Sequence, residues 1–171
     1  MNITRRTLVG LLSPAALIWT LPALAADKTF GVEVKTNITY YSGDGADKYR
    51  HRLDMYVPKG QRDVPVMVFV HGGAFTVGIK DQYGFVGEVL ASRGIATAVI
   101  SYRLSPKASY PGHVQDVARA FAWVRAHAAE YGGKADKIFV SGHSAGATLV
   151  AMVGAVVLAR REGGPSAPPS V

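Results

Sequence analysis

The first part of the chain changes from alternating to continuous hydrophobicity. Apolar and polar residues alternate from Val32 to Ile38 and again from Leu53 to Val57, the pattern of strands with one face in water. The run Val64–Val70 is almost entirely apolar and rich in β-branched residues, as in a strand that helices cover on both faces. We therefore predict two antiparallel edge strands followed by a buried central strand.

Beyond residue 80, segments of helical periodicity alternate with short apolar runs. The predicted elements are the helix Asp81–Arg93, the strand Ile95–Tyr102, the helix Val114–Tyr131, the strand Lys137–Val140 and the helix Ala145–Ala159. The last helix is apolar all round, which indicates burial at the centre of a domain. The order β-β-β-α-β-α-β-α predicts an α/β fold with a largely parallel sheet and right-handed connections.

Both ends of the chain differ from the domain predicted at residues 26–160. Residues 1–25 combine Arg5 and Arg6 with an apolar run broken by prolines and a small-residue cleavage site, which predicts a twin-arginine-like export signal peptide. The apolar run is shorter than the roughly 20 residues of a permanent membrane anchor. We expect an exported protein, periplasmic or secreted, that meets the membrane only through this transient signal. The tail, residues 161–171, is rich in Gly, Pro and Ser, and this composition predicts disorder.

The composition narrows the class of protein. With 49% hydrophobic and 18% charged residues, the 171-residue chain is typical of a globular domain. The net charge is +7, but the basic residues are scattered and accompany no nucleic-acid-binding motif, so we expect no nucleic-acid partner. The chain has no cysteine, which excludes disulfides and thiolate catalysis. Its five histidines show no metal-ligand spacing, and we expect neither a metal nor a cofactor.

The segment Gly142–Gly146 reads GHSAG and matches the G-x-S-x-G motif of a serine nucleophile. A buried strand is predicted directly before it and an apolar helix directly after it, which is the context that the motif requires. The sharp turn projects the serine hydroxyl from the sheet edge, and the helix N-terminus stabilises developing negative charge. The pattern predicts Ser144 as a catalytic nucleophile, with a chance match in a glycine-rich loop as the alternative.

The segment His71–Phe75 reads HGGAF and directly follows the first buried strand. A glycine-rich loop can turn its backbone N–H groups toward a carbonyl oxygen that becomes negative during acyl transfer. We expect Gly73 and Ala74 to form an oxyanion hole together with Ala145. A simple glycine turn at the end of a strand is the alternative.

Several ordered motifs together resemble a known group of enzymes. They are HGGAF, SYRLSP at Ser101–Pro106 with the following Tyr110-Pro111, the segment Asp116–Trp123, and GHSAG. Over roughly residues 32–153 the chain is similar to α/β-hydrolase esterases of the hormone-sensitive-lipase-like and feruloyl or acetyl-xylan-esterase-like groups, and arylformamidases share much of this pattern. The resemblance implies a serine carboxylesterase that forms an acyl-enzyme from a small-molecule acyl ester. It assigns the nucleophile to Ser144, the oxyanion hole to Gly73, Ala74 and Ala145, and support of the loop to His71.

The chain departs from this resemblance after the nucleophile, where the family supplies a catalytic acid and a histidine. Downstream of Ser144 the sequence contains one acidic residue, Glu162, and no histidine. Because a serine hydroxyl without a base is a poor nucleophile, we expect an incomplete α/β-hydrolase fold with weak or no activity in this chain alone. The alternatives are a non-catalytic truncated product, or a half-enzyme or interaction module that a partner chain completes. The strand before Ser144 is expected to be an open apolar edge.

The upstream histidines are not expected to replace the missing base. His143 adjoins the nucleophile, but neighbouring side chains at a sharp turn point apart. His51 falls on the polar side of a predicted edge strand, and His113 and His127 lie just before and on a predicted helix. We expect these three to be solvated or structural, without an acidic partner, and Asp116 to be a structural carboxylate.

Overall fold

The structure, a computed structural model, describes residues 29–161. These residues fold around a five-stranded mixed sheet. The strands are β1 (Val32–Thr39), β2 (Arg52–Pro58), β3 (Val64–Val70), β4 (Ala96–Ile100) and β5 (Gly133–Gly142). Their spatial order is β1-β2-β4-β3-β5, with β2 antiparallel to β1 and β4, and β3 parallel to β4 and β5. The predicted antiparallel pair and the parallel strands that follow are confirmed. Only β1 of the pair lies at the edge, since β2 also pairs with β4.

Three α-helices connect and follow these strands: α1 (Gly84–Ser92), α2 (Gly112–His127) and α3 (Ala145–Arg161). A 3₁₀ turn precedes α1 and another follows α2, so the two predicted connecting helices are each divided into an α and a 3₁₀ part. Gly94 and Gly132, with φ of +88° and +69°, end these segments in the left-handed conformation that favours glycine. The predicted export signal, and the predicted tail beyond Arg161, lie outside the described residues.

The hydrophobic core lies on both faces of the sheet. On one face, Val66, Val68 and Val70 of β3 pack with the buried side of α2 and with Leu149 of α3. On the other face, Phe69 belongs to a second cluster of buried side chains, which α1 covers. The alternation of β3 side chains between two covered faces explains why its sequence is continuously apolar.

The expectation that α3 is buried all round is wrong for the described residues. Leu149 is 2% exposed, but Met152, Val156 and Val157 are 39%, 48% and 47% exposed. The reason is that β5 pairs with β3 only, so that within residues 29–161 no further strand or helix covers that side of α3. Phe139 of β5 is 55% exposed at the same place, in agreement with the predicted open edge.

Candidate active site

Ser144 lies in the turn between β5, which ends at Gly142, and α3, which begins at Ala145. It is exposed, and its φ of +50° falls in the left-handed region that non-glycine residues rarely adopt. The N-terminus of α3 directly follows it, so the positive end of the helix dipole is next to the hydroxyl. The local fold therefore presents this serine at the carboxyl edge of the parallel strands.

The HGGAF loop and the GHSAG turn are in contact. Val70 pairs with Gly142 in the β3–β5 ladder, so both loops leave the sheet side by side. A Cβ at Gly72 would lie 2.7 Å from Nδ1 of His143 and 3.2 Å from Cβ of Ser144. Only glycine fits between them, and its absence of a side chain lets the loop approach the serine closely.

The three backbone N–H groups predicted for the oxyanion hole are available. Within residues 29–161, no acceptor is hydrogen-bonded to the N–H of Gly73, Ala74 or Ala145. The loop is held in a tight turn because the N–H groups of Thr76 and Val77 both donate to the carbonyl oxygen of Gly73, at 3.0 Å. Free N–H groups at a fixed loop and a helix N-terminus suit an oxygen that gains negative charge.

His71 is fully buried behind the loop. Its Nδ1 lies 2.7 Å from the carbonyl oxygen of Gly72, which places the ring proton on Nδ1. Its ring stacks on Tyr102 at a centroid distance of 4.4 Å, and the Tyr102 hydroxyl donates to the His71 carbonyl oxygen at 3.2 Å. Burial lowers the pKa of His71 and raises the pKa of Tyr102 to about 12, so both rings are neutral at pH 7.

Two contacts at this sheet edge involve residues that sequence reasoning missed. The hydroxyl of Tyr83 lies 3.0 Å from Nδ1 of His143, and its ring stacks near His71. Arg50 donates from Nη1 to the carbonyl oxygen of Gly78 at 2.6 Å, just beyond the HGGAF loop. These pairs are 60 and 28 residues apart along the chain, and no local pattern indicates them.

Within the described residues, the Ser144 hydroxyl has no hydrogen-bond partner that could act as a base. The histidines outside the loop have other contacts: His143 with the Tyr83 hydroxyl, His113 with the Ser105 hydroxyl at 3.4 Å, and His127 with the Trp123 carbonyl oxygen at 2.8 Å. The described part of the chain thus brings the predicted nucleophile next to the loop of the predicted oxyanion donors, and no histidine of residues 29–161 is hydrogen-bonded to the Ser144 hydroxyl.

The expectation that His51 has no acidic partner is wrong. His51 is fully buried, and its Nε2 lies 3.0 Å from Oδ1 of Asp116. The N–H of Asp47 donates to Nδ1 of His51 at 2.9 Å, which leaves the ring proton on Nε2, facing the carboxylate. Arg103 donates to both oxygens of Asp116 at 2.8 Å, and Arg119 lies 3.2 Å from Oδ1.

These contacts keep Asp116 ionised in the interior. Burial by itself raises the pKa of Asp116, but the contacts from His51 and Arg103 outweigh burial and lower the pKa to about 2. The carboxylate is therefore a charged structural group, and it connects α2 with the loop that follows β4.

None of the helices within residues 29–161 has both the length and the apolar character needed to cross a bilayer. In the same range, His, Asp and Glu side chains form no group of three able to hold a metal ion.

The chain is similar to known esterases. The BD-FAE family matches residues 53–161. A probable isoprenylcysteine alpha-carbonyl methylesterase of Arabidopsis thaliana is 39% identical over 123 residues, which cover 71% of this chain and 25% of the relative. A probable carboxylic ester hydrolase, LipM, of Mycobacterium tuberculosis is 45% identical over 86 residues, or 50% of this chain and 20% of the relative.

Solved esterase structures share the fold. Esterase B from Lactobacillus rhamnosis has a TM-score of 0.68 and 26% identity, over 78% of this chain and 44% of that one. A bacterial heroin esterase has a TM-score of 0.62 and 34% identity, over 78% of this chain and 41% of that one. This chain therefore spans a quarter or less of these curated relatives, and less than half of these solved structures.

Proposed function

This chain belongs to the BD-FAE family of α/β-hydrolase esterases, and we propose that Ser144 is the nucleophile of a carboxylic-ester hydrolase. The observation that carries this proposal is the contact between the strained serine turn and a glycine loop whose N–H groups have no other acceptor within the described residues. In this mechanism the Ser144 oxygen bonds to the ester carbonyl carbon. The carbonyl oxygen becomes negative and accepts hydrogen bonds from the N–H groups of Gly73, Ala74 and Ala145.

The reaction then needs a proton carrier. The Ser144 proton passes to a base, which returns it to the departing alcohol, and water afterwards releases the acid from the acyl-enzyme. No residue between 29 and 161 is positioned as that base. We therefore propose that these 171 residues by themselves hold the nucleophile and the oxyanion donors but react slowly, because loss of triad members costs several orders of magnitude in rate.

A second candidate function is a half-enzyme whose acid and histidine come from further polypeptide. It is favoured by the open edge of β5, where Phe139 is 55% exposed, and by the exposed apolar side of α3. In native mass spectrometry of protein purified from its source, a stoichiometric complex supports this function. A lone monomer of the 171-residue chain counts against it.

The proposal is tested by labelling the chain with a fluorophosphonate, which reacts with activated serines. We expect slow labelling at Ser144, identified by intact mass and peptide mapping. Added imidazole is expected to speed the labelling because it supplies the base that the described residues lack. The variant Ser144→Ala should lose the label, whereas Ser92→Ala should keep it, since the Ser92 hydroxyl at the end of α1 bonds only to a backbone carbonyl oxygen of its own helix.

Two results would contradict the proposal in different ways. A folded chain that takes no label, with or without imidazole, would show that Ser144 is not a nucleophile. Rapid labelling that imidazole does not change would show that this chain already contains a base, and the expectation of slow reaction would be wrong.

A further inference from the structure

The side chain of Arg50 reaches the segment that follows the HGGAF loop. Arg50 lies in the connection between β1 and β2, directly before the buried His51, and is half-buried. Its Nη1 donates to the carbonyl oxygen of Gly78 at 2.6 Å. A hydrogen bond from a charged donor is about twice as strong as one between neutral groups. This single contact therefore connects the start of the domain to the loop with appreciable strength.

The carbonyl group that Arg50 binds belongs to a residue that packs on the HGGAF loop. A Cβ at Gly78 would lie 2.5 Å from the carbonyl oxygen of Gly72 and 2.6 Å from Nδ1 of His71. Gly72 directly precedes Gly73, whose N–H is one of the proposed oxyanion donors. The loop between Gly73 and Gly78 is closed by two hydrogen bonds to the Gly73 carbonyl oxygen, at 3.0 Å. A bond at Gly78 thus restrains the loop where its two ends meet.

The turn that carries Arg50 is itself fixed. The N–H of Arg50 donates to Oδ1 of Asp47 at 3.0 Å, and the N–H of His51 donates to the Asp47 carbonyl oxygen at 2.9 Å. His51 is fully buried, and its Nε2 lies 3.0 Å from Asp116. The guanidinium is therefore held by a turn that is anchored in the interior, so it can restrain the loop.

The Arg50 charge also acts on the ring behind the loop. Burial is the main reason why the pKa of His71 is lowered, and the positive charge of Arg50 lowers this pKa further. The Nδ1 of that ring lies 2.7 Å from the Gly72 carbonyl oxygen. Arg50 thus influences the loop through its backbone at Gly78 and through the charge state of His71.

We propose that Arg50 is a positioning residue for the oxyanion hole. It holds the loop so that the N–H groups of Gly73 and Ala74 point at the ester carbonyl oxygen, and it acts through the loop backbone without touching the reacting atoms. The assignment rests on the proposed function. Because a displacement of about 1 Å can cost on the order of 100-fold in rate, we expect the loss of one anchor among several to cost about tenfold.

Fluorophosphonate labelling of Ser144, with imidazole present, measures this effect. Arg50→Met keeps most of the side-chain volume but removes the donor and the charge, and it should slow labelling about tenfold. The matched control is Arg52→Met: Arg52 also donates to two backbone carbonyl oxygens, of Lys48 at 2.6 Å and Asn37 at 2.7 Å, but not to the loop. The control should change the rate by less than about twofold.

Two further variants of Arg50 keep a donor. Arg50→Lys retains a donor and the charge and should recover most of the labelling rate. Arg50→Gln retains a neutral donor and replaces Arg50→Met if that variant does not fold. We expect it to slow labelling about threefold, because its hydrogen bond lacks the charge.

Hydrogen exchange separates positioning from stability and needs no reaction. The N–H groups of Thr76 and Val77 are protected while the loop is closed, and Val68 in the core of β3 provides the reference. Arg50→Met should speed exchange at Thr76 and Val77 about fivefold relative to Val68, because only the loop opens more often. Arg52→Met should leave this ratio unchanged. A general loss of stability would speed all three amides together.

The outcomes separate the role of Arg50 from the proposed reaction. The positioning role is overturned if folded Arg50→Met is labelled as fast as Arg52→Met, or if all three amides exchange faster by the same factor. Faster exchange confined to the loop, in a chain whose Ser144 takes no label even with imidazole, refutes the reaction but keeps Arg50 as the anchor of the loop. Slower labelling of Arg50→Met together with faster loop exchange supports both.

Discussion

Replacing Asp116 with alanine is expected to lower the free energy of unfolding by about 3–5 kcal/mol, as removal of one partner from a buried ion pair does. The carboxylate is fully buried and accepts two hydrogen bonds from the Arg103 side chain at 2.8 Å. Without it, the partly exposed guanidinium of Arg103 loses both of its carboxylate acceptors, and the fully buried Nε2 of His51 loses the carboxylate that lies 3.0 Å away. Urea unfolding followed by circular dichroism measures the loss.

An exposed carboxylate provides the control for this prediction. Asp136 is 68% exposed and lies 3.6 Å from Lys134, so Asp136→Ala is expected to change stability by less than about 0.5 kcal/mol. Asp116→Asn should fall between the two variants, because its amide oxygen still accepts from Arg103. Equal unfolding free energies for Asp116→Ala and Asp136→Ala would show that the buried cluster contributes nothing measurable.

Acid should weaken the same cluster. The pKa of Asp116 is about 2 in the fold against an ordinary value of 3.8, so its stabilising contribution is complete above pH 3.8 and is lost as the pH falls through about 2. The difference corresponds to about 2 kcal/mol. We expect the wild-type chain to lose about that much more stability over this range than Asp116→Asn, measured by urea unfolding at each pH. Parallel losses in the two proteins would contradict the assignment.

Local sequence pattern predicts most of the sheet and helices because each element carries its own signal. The continuous apolar run of β3 reflects two covered faces, since Val68 and Phe69 pack on opposite sides of the sheet. The same reasoning fails for α3. An apolar surface shows that a helix can be buried, but it does not say what covers it, and Met152 and Val156 are exposed in the described structure.

Sequence pattern likewise predicts one part of the candidate site and not the rest. The motif around Ser144 and the motif around Gly73 are each a continuous stretch of sequence. Parallel strands that end at one sheet edge bring the two motifs together. The position of His51 could not be predicted, because strand alternation does not extend to it: β2 begins at Arg52. Its ring instead lies edge-on to Tyr40 and Tyr41, at centroid distances of 5.4 and 5.1 Å. Such long-range contacts depend on packing that no local pattern records.

The variant Gly146→Ala is expected to slow fluorophosphonate labelling of Ser144 by at least about 100-fold, the effect of losing one oxyanion donor. The first turn of α3 lies against the end of β3, and a Cβ at Gly146 would clash with the backbone carbonyl oxygens of Val70 and His71. These are backbone atoms at the end of β3 and of the residue directly after it, and they cannot move aside as a flexible side chain can. The helix start must shift instead, and Ser144 moves with it relative to the N–H groups of the loop.

Gly154→Ala on the same helix is the matched control, because nothing lies within 4 Å of the position that its Cβ would take. It should leave labelling unchanged and add up to about 1 kcal/mol of stability, since alanine favours a helix more than glycine does. Both variants are labelled with imidazole present, so that the supply of base does not limit the rate, and their folding is checked by circular dichroism. If folded Gly146→Ala reacts as fast as Gly154→Ala, the close contact between α3 and β3 does not set the reactivity of Ser144. A large difference between two glycines of one helix can arise only from where each lies, because the chemical change is identical.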